Sequence, residues 1–378
     1  MDDKITPFYV MEVMAAAQER EMAGEQVWHL EVGQPSTGAP RAAVQVAHKL
    51  LDSSALGYTP SKGIPELAPA IATHIRKKYT IDVDPGRIAI TSGASGAMVL
   101  AVLAAFKPGD RIGISEPGYP CYRNILLALG LEPVPIKVGP ESRFQPRVEH
   151  LAAGPQIDGL VVASPSNPTG TVLSPAELGT IVAWCGDNNV QLISDEIYHG
   201  LTYGDVETAT AAQFSDDVIV INSFSKYWSM TGWRMGWMVL PERLVSAVDR
   251  RAQNLVICPP AISQHVALAA LDCADELEGH LRRYDTNRQI LLAGLPDVGL
   301  TEIAPTDGAF YLWARCDHLG SSVDIAAQWL DAWGVAVTPG IDFDPVDGHR
   351  YLRFSYSGST ETVRQAVAQL QRWSDSSV

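Results

Sequence analysis

From about residue 86 to residue 240, short runs of apolar and β-branched residues alternate with stretches of helical periodicity, which predicts βαβ units and a mainly parallel sheet. The predicted strands are "RIAI" (87–90), "RIGIS" (111–115), "PVPIKV" (133–138), "GLVVAS" (159–164), "VQLIS" (190–194), "VIVINS" (218–223) and "GWMVL" (236–240). Several are apolar on both faces, as expected where helices cover both sides of a sheet. Between them, "SPAELGTIVAWCGDN" opens with Ser174, Pro175 and Glu177, a capping-box arrangement with proline at the first helical position. A helix is therefore predicted after the strand at 159–164.

Beyond residue 241, "ERLVSAVDRRAQNLV" and the long "AISQHVALAALDCADELEGHLRRYDTNRQILLAGL" carry helical periodicity, and the second is long enough to link two lobes. The pattern then changes. "GAFYLWARC", "GVAVTPG" and "RYLRFSYS" read as strands, with helices at about 322–333 and 360–373, a mixed α+β tail. The segment before about residue 40 has no clear place in the sheet and is expected to pack with that tail. The expected division is a large domain over 39–280 and a small domain formed by 1–38 and 281–378.

With 378 residues the chain exceeds the usual single-domain range, and 46% hydrophobic with 19% charged residues suits a globular protein. A formal net charge of -15 disfavours nucleic acid or an anionic membrane as partner. It leaves a small substrate open, because one basic pocket fits within an acidic surface. The five cysteines are scattered and form no CxxC pair, so neither a disulfide framework nor a structural zinc is expected. The N-terminus has no signal-like apolar core, and the most apolar helical run, Ala97 to Phe106, is about half of the roughly 20 residues a membrane span needs. A cytoplasmic location is the expectation.

In open parallel sheets ligands bind beyond the carboxyl ends of the strands. The residues there are "TSGASG", "EPGYPCY", "PSNPTG", "DEIYHG" and "FSK". Gly93 to Gly96 begin a helix whose free N–H groups suit a phosphate, although packing alone accounts equally well for a glycine-rich helix entry. The spacings of dinucleotide and P-loop sites are absent. Asp195 and Glu196 end a strand that otherwise reads as buried, where a carboxylate costs desolvation unless it meets a cation or donor. For an isolated aspartate, a cap on the next helix is the simpler reading, and His199 reads as a satisfied polar neighbour. The nine histidines form no HExxH cluster, and no metal site is expected. Lys226, flanked by Ser223 and Ser225 and followed by Tyr227, Trp228, Met230 and Trp233, is the sharper signal. A lysine in partly apolar surroundings loses basicity from its usual pKa of about 10.4 and becomes a usable nucleophile and base.

Nearly the whole chain resembles the class I/II aminotransferases, pyridoxal-phosphate enzymes of fold type I, and in particular their bacterial aspartate and aromatic branch. The matching stretches are "LEVGQP" (30–35), "GYTPSKGIPEL" (57–67), "TSGAS" (91–95), "EPGYPCY" (116–122), "SPSNPTG" (164–170), "DEIY" (195–198), "SFSKYWSMTGWRMGW" (223–237), "GAFYLW" (308–313), "TPG" (338–340) and "RFSYS" (353–357), in that order. The resemblance implies an α/β fold with a mainly parallel seven-stranded sheet flanked by helices, plus a smaller α+β domain. It implies that Lys226 forms the Schiff base with pyridoxal 5′-phosphate and shuttles the proton of the substrate Cα, in a ping-pong transfer from an α-amino acid to a 2-oxo acid. Asp195 pairs with the pyridine nitrogen, Tyr198 and Asn167 with the ring hydroxyl, and Tyr119 stacks on the ring. Gly93, Ala94, Ser95, Ser223, Ser225 and Arg234 hold the phosphate, joined by Tyr58 from the neighbouring subunit of a homodimer. Arg353 clamps the substrate carboxylate, assisted by Asn167 and the backbone at Gly33.

Two departures bear on the substrate. Where many relatives read G-E-P-D-F after the first glycine, this chain reads "GQPSTGAP", and "ICPPAISQ" (257–264) is unusually rich in proline. The aspartate or aromatic preference therefore does not transfer. Competing readings are a β-lyase (C–S lyase) or specialised biosynthetic enzyme using the same cofactor, and a binding or regulatory protein on the same fold. The residues after Lys226 follow the transaminase form, and the acidity of the chain opposes DNA binding.

Overall fold

Strand β1 (Trp28–His29) lies apart from seven strands that form a single sheet: β2 (Ile88–Thr91), β3 (Arg111–Glu116), β4 (Glu132–Lys137), β5 (Gly159–Ala163), β6 (Gln191–Asp195), β7 (Ile219–Ser223) and β8 (Gly236–Val239). These come from a computed structural model that describes residues 5, 7–53 and 55–376. The order is β2-β8-β7-β6-β5-β3-β4, with β8 antiparallel to both neighbours and the other pairs parallel. Each of the seven predicted apolar runs became a strand, shifted by a residue at most ends.

The apolar runs are continuous because both faces are covered. On β6 and β7, Leu192 and Val220 join one core cluster while Ile193, Ile219 and Ile221 join another on the opposite face. The helix Gly93–Ala105 closes the second face with Ala97, Met98, Ala101 and Val102, all buried. The helix Pro175–Asp187 starts as its sequence predicts: Ser174 Oγ accepts from the Glu177 N–H, and the Ser174 N–H donates to the Glu177 carboxylate at 2.9 Å.

The long helical stretch after residue 260 is two helices, Ala261–Ala270 and Ala274–Gly294. Ala267 and Ala270 pack into the sheet's core, whereas Tyr284 and Leu291 pack into the core of the C-terminal lobe. The chain bends between them at residues 271–273, and Asp275 and Glu276 favour a new helix start there. Beyond it, β9 (Tyr311–Arg315), β10 (Val335–Ala336), β11 (Thr338–Pro339) and β12 (Tyr351–Ser355) are present, with β11-β12-β9 forming an antiparallel sheet. The predicted strand "GVAVTPG" is thus split into two short ones, each with a different partner. Strand β1 pairs in parallel with β10. Among the described residues, no helix is long and apolar enough to cross a membrane, and no group of three or more His, Cys, Asp or Glu residues is placed to hold a metal.

Strand β1 is anchored by charge. His29 Nδ1 lies 2.8 Å from the fully buried Glu31 carboxylate, and Nε2 lies 3.2 Å from Glu21. The Glu31 hydrogen bond, opposed by burial and aided by the charges of Glu31 and Glu21, raises the His29 pKa from 6.5 to about 9. The imidazolium therefore stabilises the fold fully below 6.5, and that contribution is lost as pH rises through about 9. Urea-unfolding midpoints should fall across this interval in the parent more steeply than in His29→Gln. Parallel slopes for the two proteins would contradict the pair's role.

Candidate active site

The carboxyl ends of β3, β5, β6 and β7 lie side by side, with Ala163 opposite Asp195 and Asp195 opposite Ile221 in the register. The strand order reverses after β4, so β4 and β5 lie on either side of β3, as at the crevice of a doubly wound sheet. A cavity of about 280 Å³ opens there. Its wall brings together Lys226, Asp195, Tyr198, Asn167, Tyr119 and Arg353, as well as Gly33, Ala94, Ser95, Ser225 and Arg234. Gly93 stands immediately behind Arg234. The structure does not bring in Ser223 or Tyr58. The Ser223 hydroxyl is fully buried and turned inward, 2.8 Å from the Met235 carbonyl and 2.9 Å from Ser225 Oγ. Tyr58 is 85% exposed, away from the cavity.

Asp195 ends β6 and is 5% exposed. One oxygen accepts from the Tyr122 hydroxyl at 2.5 Å and the other from the Ile197 N–H at 3.1 Å. Burial raises its pKa, while these two donors and the charge of Lys226 pull it back. Tyr122 escaped the sequence reading. Its signal was the spacing in "YPCY", which sets Tyr119 and Tyr122 on one side of the helix entry, ring centroids 5.4 Å apart.

Lys226 lies three residues past β7, half-buried, and its Nζ donates to the Gly33 carbonyl at 2.5 Å. Burial, then the charges of Arg353 and Arg234, lower its pKa from 10.5 to about 8, against the opposing charge of Asp195. The apolar residues around it hold the turn: Phe224, Trp228 and Trp237 contact one another at centroid distances of 4.9 to 5.6 Å, and Met230 and Met235 are fully buried. Backbone bonds from Phe224 to Met235 and from Met230 to Phe224 close the loop.

Arg234 adopts a left-handed backbone conformation, and its guanidinium is anchored by the Thr231 carbonyl at 2.9 Å. It lies against Gly93, where a Cβ would come within 2.6 Å of Nη2 and where φ is +76°. Only glycine suits both the space and the backbone. The helix beginning at Gly93 receives no side-chain cap from Ser92, so its first N–H groups remain available beside that guanidinium.

Arg353, on β12, is 2% exposed. Nη1 donates to Asn167 Oδ1 at 3.0 Å, Nη2 to Thr338 Oγ1 at 3.1 Å and to the Glu31 carbonyl, and the guanidinium lies over the rings of Tyr311 and Phe343 at 4.5 and 4.7 Å. Tyr311, also missed in sequence, meets Tyr198 hydroxyl to hydroxyl at 2.8 Å. A Cβ on Gly33 would strike its oxygen at 1.8 Å, which explains the glycine. His199 lies outside the cavity, its Nδ1 2.5 Å from Tyr79 Oη, a polar neighbour as read.

These residues fit a flat, anionic cofactor with a basic ring nitrogen and an aldehyde: a phosphate-sized anion site, a buried carboxylate and a weakened amine share one wall. The sequence profile of the family "Aminotransferase class I and II" matches residues 25–370. The chain belongs to that family. This aminotransferase is 46% identical to the valine–pyruvate aminotransferase of Mycobacterium tuberculosis, over 98% of this chain and 96% of the relative. It is 33% identical to the (5-formylfuran-3-yl)methyl phosphate transaminase of Methanocaldococcus jannaschii, over 97% and 96% of the two chains. A crystal structure of an aminotransferase from M. tuberculosis superposes with a TM-score of 0.97 at 45% identity, covering 99% of this chain and 98% of the other. The cofactor is pyridoxal phosphate, the reaction is transamination, and the β-lyase alternative is not favoured.

In the cofactor-free aminotransferase, Lys226 should be acylated by acetic anhydride with a midpoint near pH 8, as read by peptide mass mapping. Arg353→Met removes a nearby positive charge and should move that midpoint upward. A midpoint near that of surface lysines would refute the weakened amine.

Proposed function

We propose that this aminotransferase takes its amino group from an aliphatic α-amino acid of about the size of valine and passes it to a small 2-oxo acid such as pyruvate. One observation carries the reading: the cavity that holds Lys226, Arg234 and Arg353 is also lined by the apolar side chains of Phe8, Val10, Met11, Met14, Val32 and Ile125. The cations among the described lining residues are Lys226, Arg234 and Arg353, and with these given to the chemistry, the phosphate and the α-carboxylate, none of that lining is left for a second substrate carboxylate. The name of the M. tuberculosis relative supports the same donor and acceptor.

Pyridoxal phosphate supplies the aldehyde that takes up the amino group and the protonated ring that draws electrons from the substrate Cα. The chain's own residues would do the rest. Asp195 keeps the ring nitrogen protonated, its negative charge maintained in a buried place by the Tyr122 hydroxyl and the Ile197 N–H. Lys226, neutral for an appreciable fraction of the time near pH 8, takes the proton from Cα and returns it. Tyr198 and Asn167 would bind the ring hydroxyl and Tyr119 would pack on the ring, all three being on the cavity wall. The N–H groups at Gly93, Ala94 and Ser95 hold the phosphate together with Ser225 and Arg234, while Ser223 acts through Ser225. Arg353, oriented by Asn167 and Thr338, grips the α-carboxylate, with the backbone of Gly33 beside it.

We further propose a cytoplasmic homodimer in which Tyr58 reaches the phosphate of the partner's site. Tyr58, Leu255 and Ile257 are 85%, 61% and 52% exposed, and the two segments carrying them are joined through Gln264, which bonds Thr59 and the Pro259 carbonyl. Large apolar residues grouped in this way mark an interface. A division into 39–280 and 1–38 with 281–378 is supported by the core cluster that gathers Tyr284, Leu291 and most apolar residues after them; residues 1–4, 6, 54, 377 and 378 lie outside the described part.

Amino acids added singly to the loaded enzyme, with the cofactor's absorbance followed, should rank valine and similar aliphatic donors first. Aspartate should be at least about tenfold poorer in kcat/KM, because its second carboxylate would be buried unpaired. A preference for aspartate or glutamate would overturn the aliphatic reading. Lys226→Ala should not turn over. Mixing Lys226→Ala chains with Tyr58→Phe chains should restore activity, since each hybrid dimer holds one site with both native residues; no recovery would sink the shared-site proposal.

A further inference from the structure

The helix that walls the substrate end of the cavity, Tyr9–Met22, is held at its start from the far end of the chain. Phe8, at its N-cap position, offers no side-chain bond. The N–H groups of Tyr9 and Val10 donate instead to the two carboxylate oxygens of Asp342, each at 2.9 Å. Asp342 is 3% exposed, and burial raises its pKa while the N–H groups of Val10 and Tyr9 and the charges of Arg353 and Arg123 oppose the rise. A charged, buried, two-point cap of this kind has direction as well as strength, because both oxygens must align with the helix axis.

The cap is also wired to the carboxylate grip. Asp342 ends the short turn Gly340–Asp342 that follows β11. Thr338 on β11 accepts from Arg353 and donates to the Glu31 carbonyl, and Phe343, the next residue after Asp342, lies under the Arg353 guanidinium. A single stretch of six residues thus touches the arginine that would grip the α-carboxylate and sets the helix whose residues line the same cavity. Val10, Met11 and Met14, with Phe8 before them, line the cavity from that helix.

We propose that Asp342 is a positioning residue for substrate selection: its bidentate cap fixes how deeply the helix Tyr9–Met22 sits, and so how large an amino-acid side chain the cavity admits. This rests on the proposed function only in taking the apolar end of the cavity as the place of the substrate side chain. Without the cap the helix start loses both acceptors, Phe8 and Val10 withdraw, and bulkier side chains enter while small ones lose contact.

The test compares kcat/KM for valine and for phenylalanine in the parent, Asp342→Asn and Asp342→Ala, with hydrogen exchange at the amides of Tyr9 and Val10. Asparagine keeps a single acceptor oxygen, so its effect should be intermediate. The valine-to-phenylalanine ratio is expected to fall on the order of tenfold in Asp342→Ala, mainly through KM, with faster exchange at both amides. Equal losses for both donors would mean a merely structural role and would overturn the proposal. Val10→Ala, which leaves the cap intact, covers the case in which Asp342→Ala fails to fold: it should shift the ratio in the same direction, and an unchanged ratio would overturn the proposal too. A parent that prefers an acidic donor counts against the proposed function alone, since the ratio between two neutral donors still reads the latch.

Discussion

Asp195, Lys226 and Arg353 lose much of their hydration around one cavity, at a cost on the order of several kcal/mol per charge when unrelieved. Each is relieved differently. Asp195 keeps its charge by accepting from Tyr122 and Ile197. Arg353 spends two of its nitrogens on Asn167, Thr338 and the Glu31 carbonyl and lays its face on aromatic rings. Lys226 is relieved least, with one carbonyl partner and two positive neighbours, and its pKa drops accordingly. The least satisfied of the three charges is the one that the proposed chemistry needs as a free amine.

That requirement reaches into both lobes. The carbonyl facing Lys226 belongs to Gly33, whose place is set by β1 pairing with β10 and by the close fit of Tyr311 against the missing side chain. Tyr311 stands on β9 and meets Tyr198, which follows β6. The cavity is therefore closed by residues from the large sheet on one side and from the C-terminal sheet on the other. A shift between the lobes would change the distance from Lys226 to its carbonyl before it disturbed either core.

What was legible in the sequence follows from the range of the interactions involved. β5, β6 and β7 showed as apolar runs because burial on both faces is a local property of each strand, and the loops after them carried the polar residues because strands end where the sheet opens. The Ser174 and Glu177 cap was legible for the same reason, as both partners lie within one turn. Tyr122 and Tyr311 were not singled out, since an aromatic residue near a strand end reads equally well as core until its hydroxyl partner is seen. Ser223 was expected at the phosphate beside Ser225, but as the last residue of β7 it directs its hydroxyl to the Met235 carbonyl, while Ser225, beyond the strand, stands on the cavity wall. The bend at 271–273 was hidden because the periodicity is nearly continuous while the packing partner changes from one lobe to the other. The N-terminal helix was hidden most completely, its first turn being stabilised by a carboxylate more than three hundred residues away.

This difference in range has a functional side. The groups that would hold the cofactor stand at the ends of strands fixed by ladders of backbone bonds, where a substitution in one loop leaves the others in register. The groups that would face the substrate side chain stand on a helix that is itself tethered through a few side-chain contacts, with Val10 and Ala17 as its buried residues. Backbone ladders tolerate little adjustment, whereas a helix held by the Asp342 carboxylate, the Glu21–His29 pair and a narrow apolar stripe can be reseated by changes to a handful of residues. Selectivity in this chain therefore has a physical basis separate from that of the chemistry. The two meet in the short segment from Thr338 to Phe343, which contacts Arg353 and supplies the helix cap. A change there would be felt by the α-carboxylate and the side chain of the substrate together.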